Sequence, residues 1–389
     1  MDKLKVLVVH CLYQLKGGED SVVESEVAML KEAGHDVRLY LRDNADASDT
    51  PAWRLAAQTL WSSRTVQDLR DVTREWRPDV IHVHNTLLLV SPSVFWAADE
   101  LGIPVVQTLH NFRAACLGGI FVRNGQVCED CMGKTPWRGV VRRCYRGSVA
   151  QSAVLATMLM THRQLGTYDH KVTRFIALTE FAKGKLADSG LPVDKIRVKS
   201  NFVEWRPAPK TGVRRGGIYV GRLSVEKGIE VLLAALQRFN PGDHQVEVMG
   251  TGPFESDTAG QLGSHYLGFQ PLPTVLEKME HASFMVLPSI CYEGFPRTIV
   301  EAFACGLPVI ASRLGSMAEL VADQETGLLF EAGNPEDLAQ KIAWAHAHPQ
   351  EMMAMGLRAR AVYEQRFNPE QNLSELIGIY REAMAATAP

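Results

Sequence analysis

Short apolar runs alternate with amphipathic stretches along most of the chain. The run at 4–10 reads as a buried strand, followed by Gly17-Gly18 and a helix over about 21–33 that Gly34 closes. Further strands are predicted at 37–41, 80–84, 105–109 and 175–178. The rhythm restarts after Gly216, with strands at 217–220, 245–249, 284–288 and 308–311. Helices are predicted at 229–239, 298–304, 335–347, 350–366 and 371–385. Strands alternating with helices predict βαβ units and parallel sheets, here two open α/β units in tandem. Such sheets bind ligands at the carboxyl ends of their strands.

Two stretches break the rhythm. Residues 111–147 are rich in Gly, Cys and Arg and lack a buried period, so they read as a long functional loop or small insert. Residues 205–216 cluster Pro, Gly and charge, and read as a linker. The expected division is therefore an N-terminal domain over 1–208, a C-terminal domain over 209–370, and a last helix over 371–389 that packs back on the first domain. A length of 389 residues suits two cores.

The formal net charge of -3 gives no global attraction to nucleic acid, so any basic site must be local. No apolar run reaches membrane-spanning length, and the run at 6–9 is too short for a signal peptide. The expected location is the cytoplasm or the inner face of a membrane. The seven cysteines then read as thiols or metal ligands rather than as a disulfide framework.

The candidate chemistry lies mostly in the second half. Gly221-Arg222-Leu223-Ser224-Val225-Glu226-Lys227-Gly228 follows a predicted strand. Fixed cations at Arg222 and Lys227 would stabilise a diphosphate leaving group as its charge develops. A solvated turn with two surface cations is the alternative. The second string, 289–302, also follows a strand and opens a helix. Glu293 falls in its loop, Glu301 falls in its helix, and Gly294 removes a side chain where a ligand can approach. Free N–H groups at the helix start suit phosphate oxygens, and the two carboxylates suit sugar and ribose hydroxyls. For Glu301 alone, a glutamate favoured by the helix dipole explains as much.

These strings, with 304–311 and Gly315-Ser316-x-x-Glu319, resemble the C-terminal domain of family 4 glycosyltransferases. Gly17-Gly18-Glu19, the run 80–85 and Thr108-Leu109-His110-Asn111 extend the resemblance to the N-terminal half. It implies the GT-B fold, two Rossmann-like domains with a cleft between them, and a retaining transferase that needs no metal for catalysis. It also implies that Arg222 and Lys227 bind the donor diphosphate, that Glu301 binds the ribose, and that Glu293 holds sugar hydroxyls. Gly221 and Gly294 would line the donor site, as would Phe295, Pro296 and Thr298, mostly through backbone; His110 would face the donor sugar, and Gly17 and Gly18 would let a loop approach the ligands. Pro296-Arg297 and Ser316 depart from the family pattern, and Pro296 lacks an N–H. No Asp-x-Asp motif is available to chelate Mg²⁺ through a diphosphate. His82 and His84 alternate on one strand and read as core histidines. Retention could run through a Glu293 nucleophile or by front-face attack, and spacing leaves both open.

Cys116, Cys128, Cys131 and Cys144 share one irregular stretch, with Cys128 and Cys131 as a C-x2-C knuckle. Four thiolates suit a structural zinc, and reduced thiols are the alternative reading. Lys134, Arg138, Arg142, Arg143 and Arg146 occur with Trp137 and Tyr145 and no acid between 133 and 147. That mixture suits an anionic membrane surface or a lipid diphosphate acceptor, or else a solvated basic face. The expected function is transfer from a UDP- or GDP-sugar to a glycan, either a polyprenyl-diphosphate-linked oligosaccharide or a surface polysaccharide. Alternatives are a soluble small-molecule acceptor, a nucleotide-sugar epimerase of the same fold, and a non-catalytic binding module.

Overall fold

The computed structural model describes residues 3–14, 17–47, 50–204, 214–240 and 246–387. Most of the predicted linker, 205–213, lies outside them. The chain forms two compact units. Unit 1 comprises residues 1–119, 129–201 and 369–389, and unit 2 comprises 120–128 and 202–368.

Unit 1 holds a six-stranded sheet of β1 (Lys5–Leu12), β2 (Asp36–Asp43), β3 (Val80–Val83), β4 (Val105–Leu109), β7 (Arg174–Ala177) and β8 (Ile196–Val198). A two-residue-per-strand hairpin, β5 (Val122–Arg123) and β6 (Gln126–Val127), belongs to unit 2. The order in unit 1 is β2-β1-β3-β4-β7-β8, with every pairing parallel. Strand β3 is buried at all four positions, as a parallel strand covered on both faces should be. The order reverses between β1 and β3, so the ends of those strands are where a doubly wound sheet places its ligand.

The helix Gly18–Glu32 starts earlier than the apolar period predicts. Gly17 N–H donates to Asp20 Oδ2 at 2.8 Å, which satisfies a donor at the helix entrance and begins the helix at Gly18. The C-terminal helix Pro369–Thr387 belongs to unit 1 and packs against β3, β4 and the first helix.

Unit 2 has the sheet order β11-β10-β9-β12-β13-β14, again all parallel. Its strands are β9 (Gly217–Val220), β10 (Val246–Met249), β11 (Tyr266–Gly268), β12 (Phe284–Leu287), β13 (Val309–Ser312) and β14 (Gly327–Phe330). Chain order 3-2-1-4-5-6 is the dinucleotide-fold order, and its switch point falls between β9 and β12. Tyr219, Leu232, Val248, Phe284, Ile310 and Phe330 are among the side chains that fill its core. No helix is long and apolar enough to cross a membrane among the described residues.

Candidate active site

Both charged strings of unit 2 lie at that switch point. The loop after β9 carries Gly221 to Gly228, and the loop after β12 carries Ser289 to Pro296. Backbone contacts dock one loop on the other. Ile290 N–H donates to Glu226 O at 3.0 Å. Gly228 has φ +70, and a Cβ there would stand 1.8 Å from Pro288 O, so only glycine allows the approach. Across the docked loops, Lys227 Nζ donates to Glu293 Oε1 at 2.6 Å, and Ser289 Oγ donates to the same oxygen at 2.7 Å. Burial alone would lower Lys227, but the Glu293 carboxylate outweighs it and holds the ammonium above its ordinary range. Arg222 is exposed on the same loop and makes no ion pair among the described residues.

The helix Arg297–Ala304 begins one residue after Pro296. Gly294 and Thr298 are partly exposed at its entrance. Phe295 is buried and packs edge-on against Phe367 at 6.1 Å, so its ring belongs to the core rather than to a ligand surface. Glu301 is buried, which raises its carboxyl above the ordinary range, with Arg297 Nε 4.0 Å away pulling it back. The departures from the family pattern acquire reasons here. Arg297 stands one helical turn from Glu301, and the buried Ser316 hydroxyl donates to Gly294 O at 3.2 Å. The hairpin β5–β6 is the neighbour of this loop within unit 2. Tyr292 N–H donates to Ile120 O at 3.2 Å, and the Tyr292 and Phe121 rings meet at 5.7 Å.

Unit 1 has its own recess at the ends of β3 and β4, lined by Glu19, His84, Asn85, His110, Asn111 and Arg113, with apolar side chains below. Asn85 Nδ2 donates to Cys11 O at 2.9 Å and ties the ends of β1 and β3 together. His110 follows β4 and is half-buried, with its Nε2 2.9 Å from His84 Nδ1. His10 Nε2 lies 2.8 Å from Asp20 Oδ1, the carboxylate that also fixes Gly17. Gly17 has φ -121, which any residue can adopt, and a Cβ on Gly18 would meet nothing within 4 Å. Neither backbone strain nor packing thus accounts for this glycine pair. Tyr13 O–H donates to Glu19 Oε2 at 2.8 Å, and Arg113 Nη1 donates to Tyr13 Oη at 3.1 Å. Burial pushes Glu19 up to about 7 despite Tyr13 and Arg113.

Tyr13, Arg113 and Ser289 escape sequence reasoning, as does a buried set in unit 1, where Lys199 Nζ donates to Glu26 Oε1 at 2.6 Å and to Asn372 Oδ1 at 2.9 Å and the Tyr380 hydroxyl lies 2.8 Å from His82 Nδ1. Glu26 alone leaves a trace. It sits among Val22, Val23, Val27 and Leu30 on the apolar stripe of the first helix, where a solvated glutamate has no place. Of the four cysteines in the irregular stretch, Cys116, Cys128, Cys131 and Cys144 are each half-buried. Asp130 pairs with Arg142 and lies 3.9 Å from Nη1 of the exposed Arg138, and Tyr145 is buried, whereas Trp137, Val141, Arg143, Arg146 and Val149 are exposed.

Two doubly wound parallel sheets, with charged loops at the switch point of one and an imidazole at a strand end of the other, define an α/β enzyme of the GT-B class. The chain belongs to the glycosyltransferases, matching "Glycosyl transferases group 1" over residues 214–348 and "Glycosyl transferase 4-like domain" over 17–201. It is 28% identical over 339 residues to a D-inositol 3-phosphate glycosyltransferase of Segniliparus rotundus, covering 80% of this chain and 68% of that one. In fold it is similar to a sucrose-phosphate synthase of Thermosynechococcus elongatus (TM-score 0.73, 19% identity, 99% and 100% of the two chains). It is also similar to Anabaena HepE in complex with UDP (TM-score 0.65, 16% identity, 96% and 99%).

Proposed function

We propose that this glycosyltransferase retains anomeric configuration, needs no metal for catalysis, and moves a sugar from a UDP- or GDP-sugar to a lipid-linked oligosaccharide or surface polysaccharide. The observation that carries the reading is the Lys227–Glu293 pair at the β9/β12 switch point, beside the entrance of the helix that holds Glu301. In this reading Lys227 and Arg222 take the diphosphate, with backbone N–H groups of the helix start beside them. Gly221 and Gly294 leave the backbone open to the ligand, Pro296 and Thr298 line it, and Glu301 accepts from the ribose. Glu293 accepts from the transferred sugar and keeps Lys227 oriented. In unit 1, His110 serves the sugar, and the Gly17-Gly18 loop leaves room for donor and acceptor. HepE in complex with UDP supports a uridine donor.

The leaving diphosphate oxygen takes the proton of the acceptor hydroxyl as the new glycosidic bond forms and the bond to the diphosphate breaks. The two cations hold the charge that this bond-breaking creates. A lipid-linked or polymeric acceptor is supported by the exposed side chains of Lys134, Trp137, Arg138, Arg143 and Arg146, which suit peripheral contact with an anionic membrane, although Tyr145 is buried. A structural zinc on the four cysteines at 116–144 completes the reading, and metal analysis of the purified protein tests it.

The test is a thermal-shift panel of UDP-, GDP-, ADP- and dTDP-sugars, where a ligand at 100 times its Kd adds ~2.7 kcal/mol. NMR of the product's anomeric proton follows, with chelator present. Net transfer with retained configuration supports the proposal. Inverted product, transfer lost to the chelator, or a free epimerised sugar nucleotide from donor alone overturns it. Donor binding with no turnover on any acceptor favours a binding module.

A further inference from the structure

Arg297 is a cation that its own helix does not explain. It occupies the first position of Arg297–Ala304, where the positive end of the helix disfavours a positive side chain. Its one ion pair among the described residues is with Glu301, Nε lying 4.0 Å from Oε1. An arginine four residues before a glutamate is the weaker order for a helical pair. At 4.0 Å the charges attract without a hydrogen bond. Neither the guanidinium nor the Glu301 carboxylate makes a hydrogen bond among the described residues, although the side chains are only 17% and 10% exposed and Arg297 Nε is fully buried. Lys227 shows the contrast, since it donates to Glu293 at 2.6 Å. The donors of Arg297, five N–H groups on a planar fork, are held largely out of water and left unspent. Burying a charged donor without a partner costs free energy, and nothing in the packing of the helix repays it.

The place of Arg297 points to the ligand. Pro296, at the helix start, makes no side-chain cap and has no N–H, so this entrance offers one backbone donor fewer than any other residue would give. A guanidinium fork matches the oxygens of a phosphate. In the donor site proposed above, Lys227 and Arg222 take the diphosphate and Glu301 takes the ribose. The phosphate joined to the ribose lies between those contacts, and Arg297 stands at the helix entrance one turn before Glu301.

We propose that Arg297 is a third donor-binding cation, which grips the ribose-proximal phosphate of the nucleotide and supplies the hydrogen bond that Pro296 withholds. The inference rests on the nucleotide-sugar reading above. The charge released by transfer develops on the far phosphate, so Arg297 serves donor affinity more than turnover, unlike Lys227.

The experiment is calorimetric titration of the full chain with UDP, GDP, ADP and dTDP, and then with the monophosphate of whichever binds best. Arg297→Leu should weaken the diphosphate and the monophosphate alike, by about 10- to 100-fold, the scale of a hydrogen bond to a charged group. The KM for the donor should rise by a similar factor with kcat changed much less. Pro296→Ala/Arg297→Leu, which returns a backbone N–H, should regain part of the affinity, and no recovery overturns the compensation. The loss should persist in full when Arg297→Leu is placed on Glu301→Gln; its disappearance there would mean that Arg297 only holds Glu301, and overturns the proposal. Wild-type affinity in folded Arg297→Leu overturns it too, as does a loss confined to the diphosphate. Should leucine not be tolerated at this position, Arg297→Gln puts the same question with the same expected loss. Wild-type protein that binds none of the four diphosphates overturns the nucleotide-sugar reading itself, and this inference with it.

Discussion

Lys227 and Glu293 stand 66 residues apart in the chain, yet their charged atoms meet at 2.6 Å. Two loops from neighbouring strand ends bring them together, and the pair is partly screened from water at side-chain exposures of 32% and 12%. If Lys227 faces charge that develops in the transition state, Lys227→Ala lowers turnover by more than ~100-fold. Glu293→Gln lowers it too, since the neutral amide neither orients the ammonium nor accepts as strongly. Steady-state kinetics on the folded variants check both, and turnover comparable with wild type in either one removes that residue from the site.

Gly228→Ala tests the docking of the two loops. The residue must adopt a left-handed backbone, and its methyl group must displace the Pro288 carbonyl. The strain alone costs ~1–2 kcal/mol, and the displaced carbonyl adds to it. Urea unfolding should show a clear loss of stability together with a weaker response to nucleotide-sugar, and a wild-type midpoint would mean that the end of β12 yields freely.

Lys199→Met leaves the Glu26 carboxylate buried beside Asn372 without its cation. Breaking one half of a buried pair costs ~3–5 kcal/mol. The double variant Lys199→Met/Glu26→Gln removes both charges and should recover part of that loss. Equal stability of single and double variants in denaturant titrations would show that the pair is not coupled.

Glu19 predicts a pH dependence of definite sign. Below its ordinary value of 4.5, the carboxyl is protonated in both folded and unfolded chains. Between there and about 7, the unfolded chain ionises while the folded one does not, so the native state loses ground as pH rises. The stability of the wild type relative to Glu19→Gln should therefore fall by up to ~3 kcal/mol across that window and level off above it. Unfolding both proteins at pH 4.5, 6 and 8 gives the comparison, and a flat difference refutes the shift.

The exposed surface of Trp137, Arg138, Val141, Arg143 and Arg146 should sediment the protein with anionic vesicles but not with neutral ones. Trp137→Ala/Arg143→Glu should weaken this binding, and added salt should reverse much of it. Equal binding of wild type and variant would exclude this surface as the contact.

Most of the architecture is legible because parallel strands buried on both faces leave continuous apolar runs, as at β1 and β12. The Lys227 and Glu293 strings are legible for a related reason: switch-point loops directly follow such runs. The hairpin β5–β6 is hidden because strands of two residues leave no period to read. His84 is legible as buried but its contact with His110 is not, since alternation along a strand gives depth and not partners. Lys199 is harder still. A lysine just after a short strand reads as solvated, and only the long-range meeting with Glu26 and Asn372 explains its complete burial.

The last helix of the chain supplies Asn372 to Lys199 and Tyr380 to His82, both inside the first unit. During synthesis, the second unit has therefore left the ribosome in full before the first can be completed. An early-made sheet must wait, with Lys199 and His82 unsealed, for a segment translated after the whole of the second unit. Chains that stop short of residue 369 would release a finished second unit joined to an open, aggregation-prone first one.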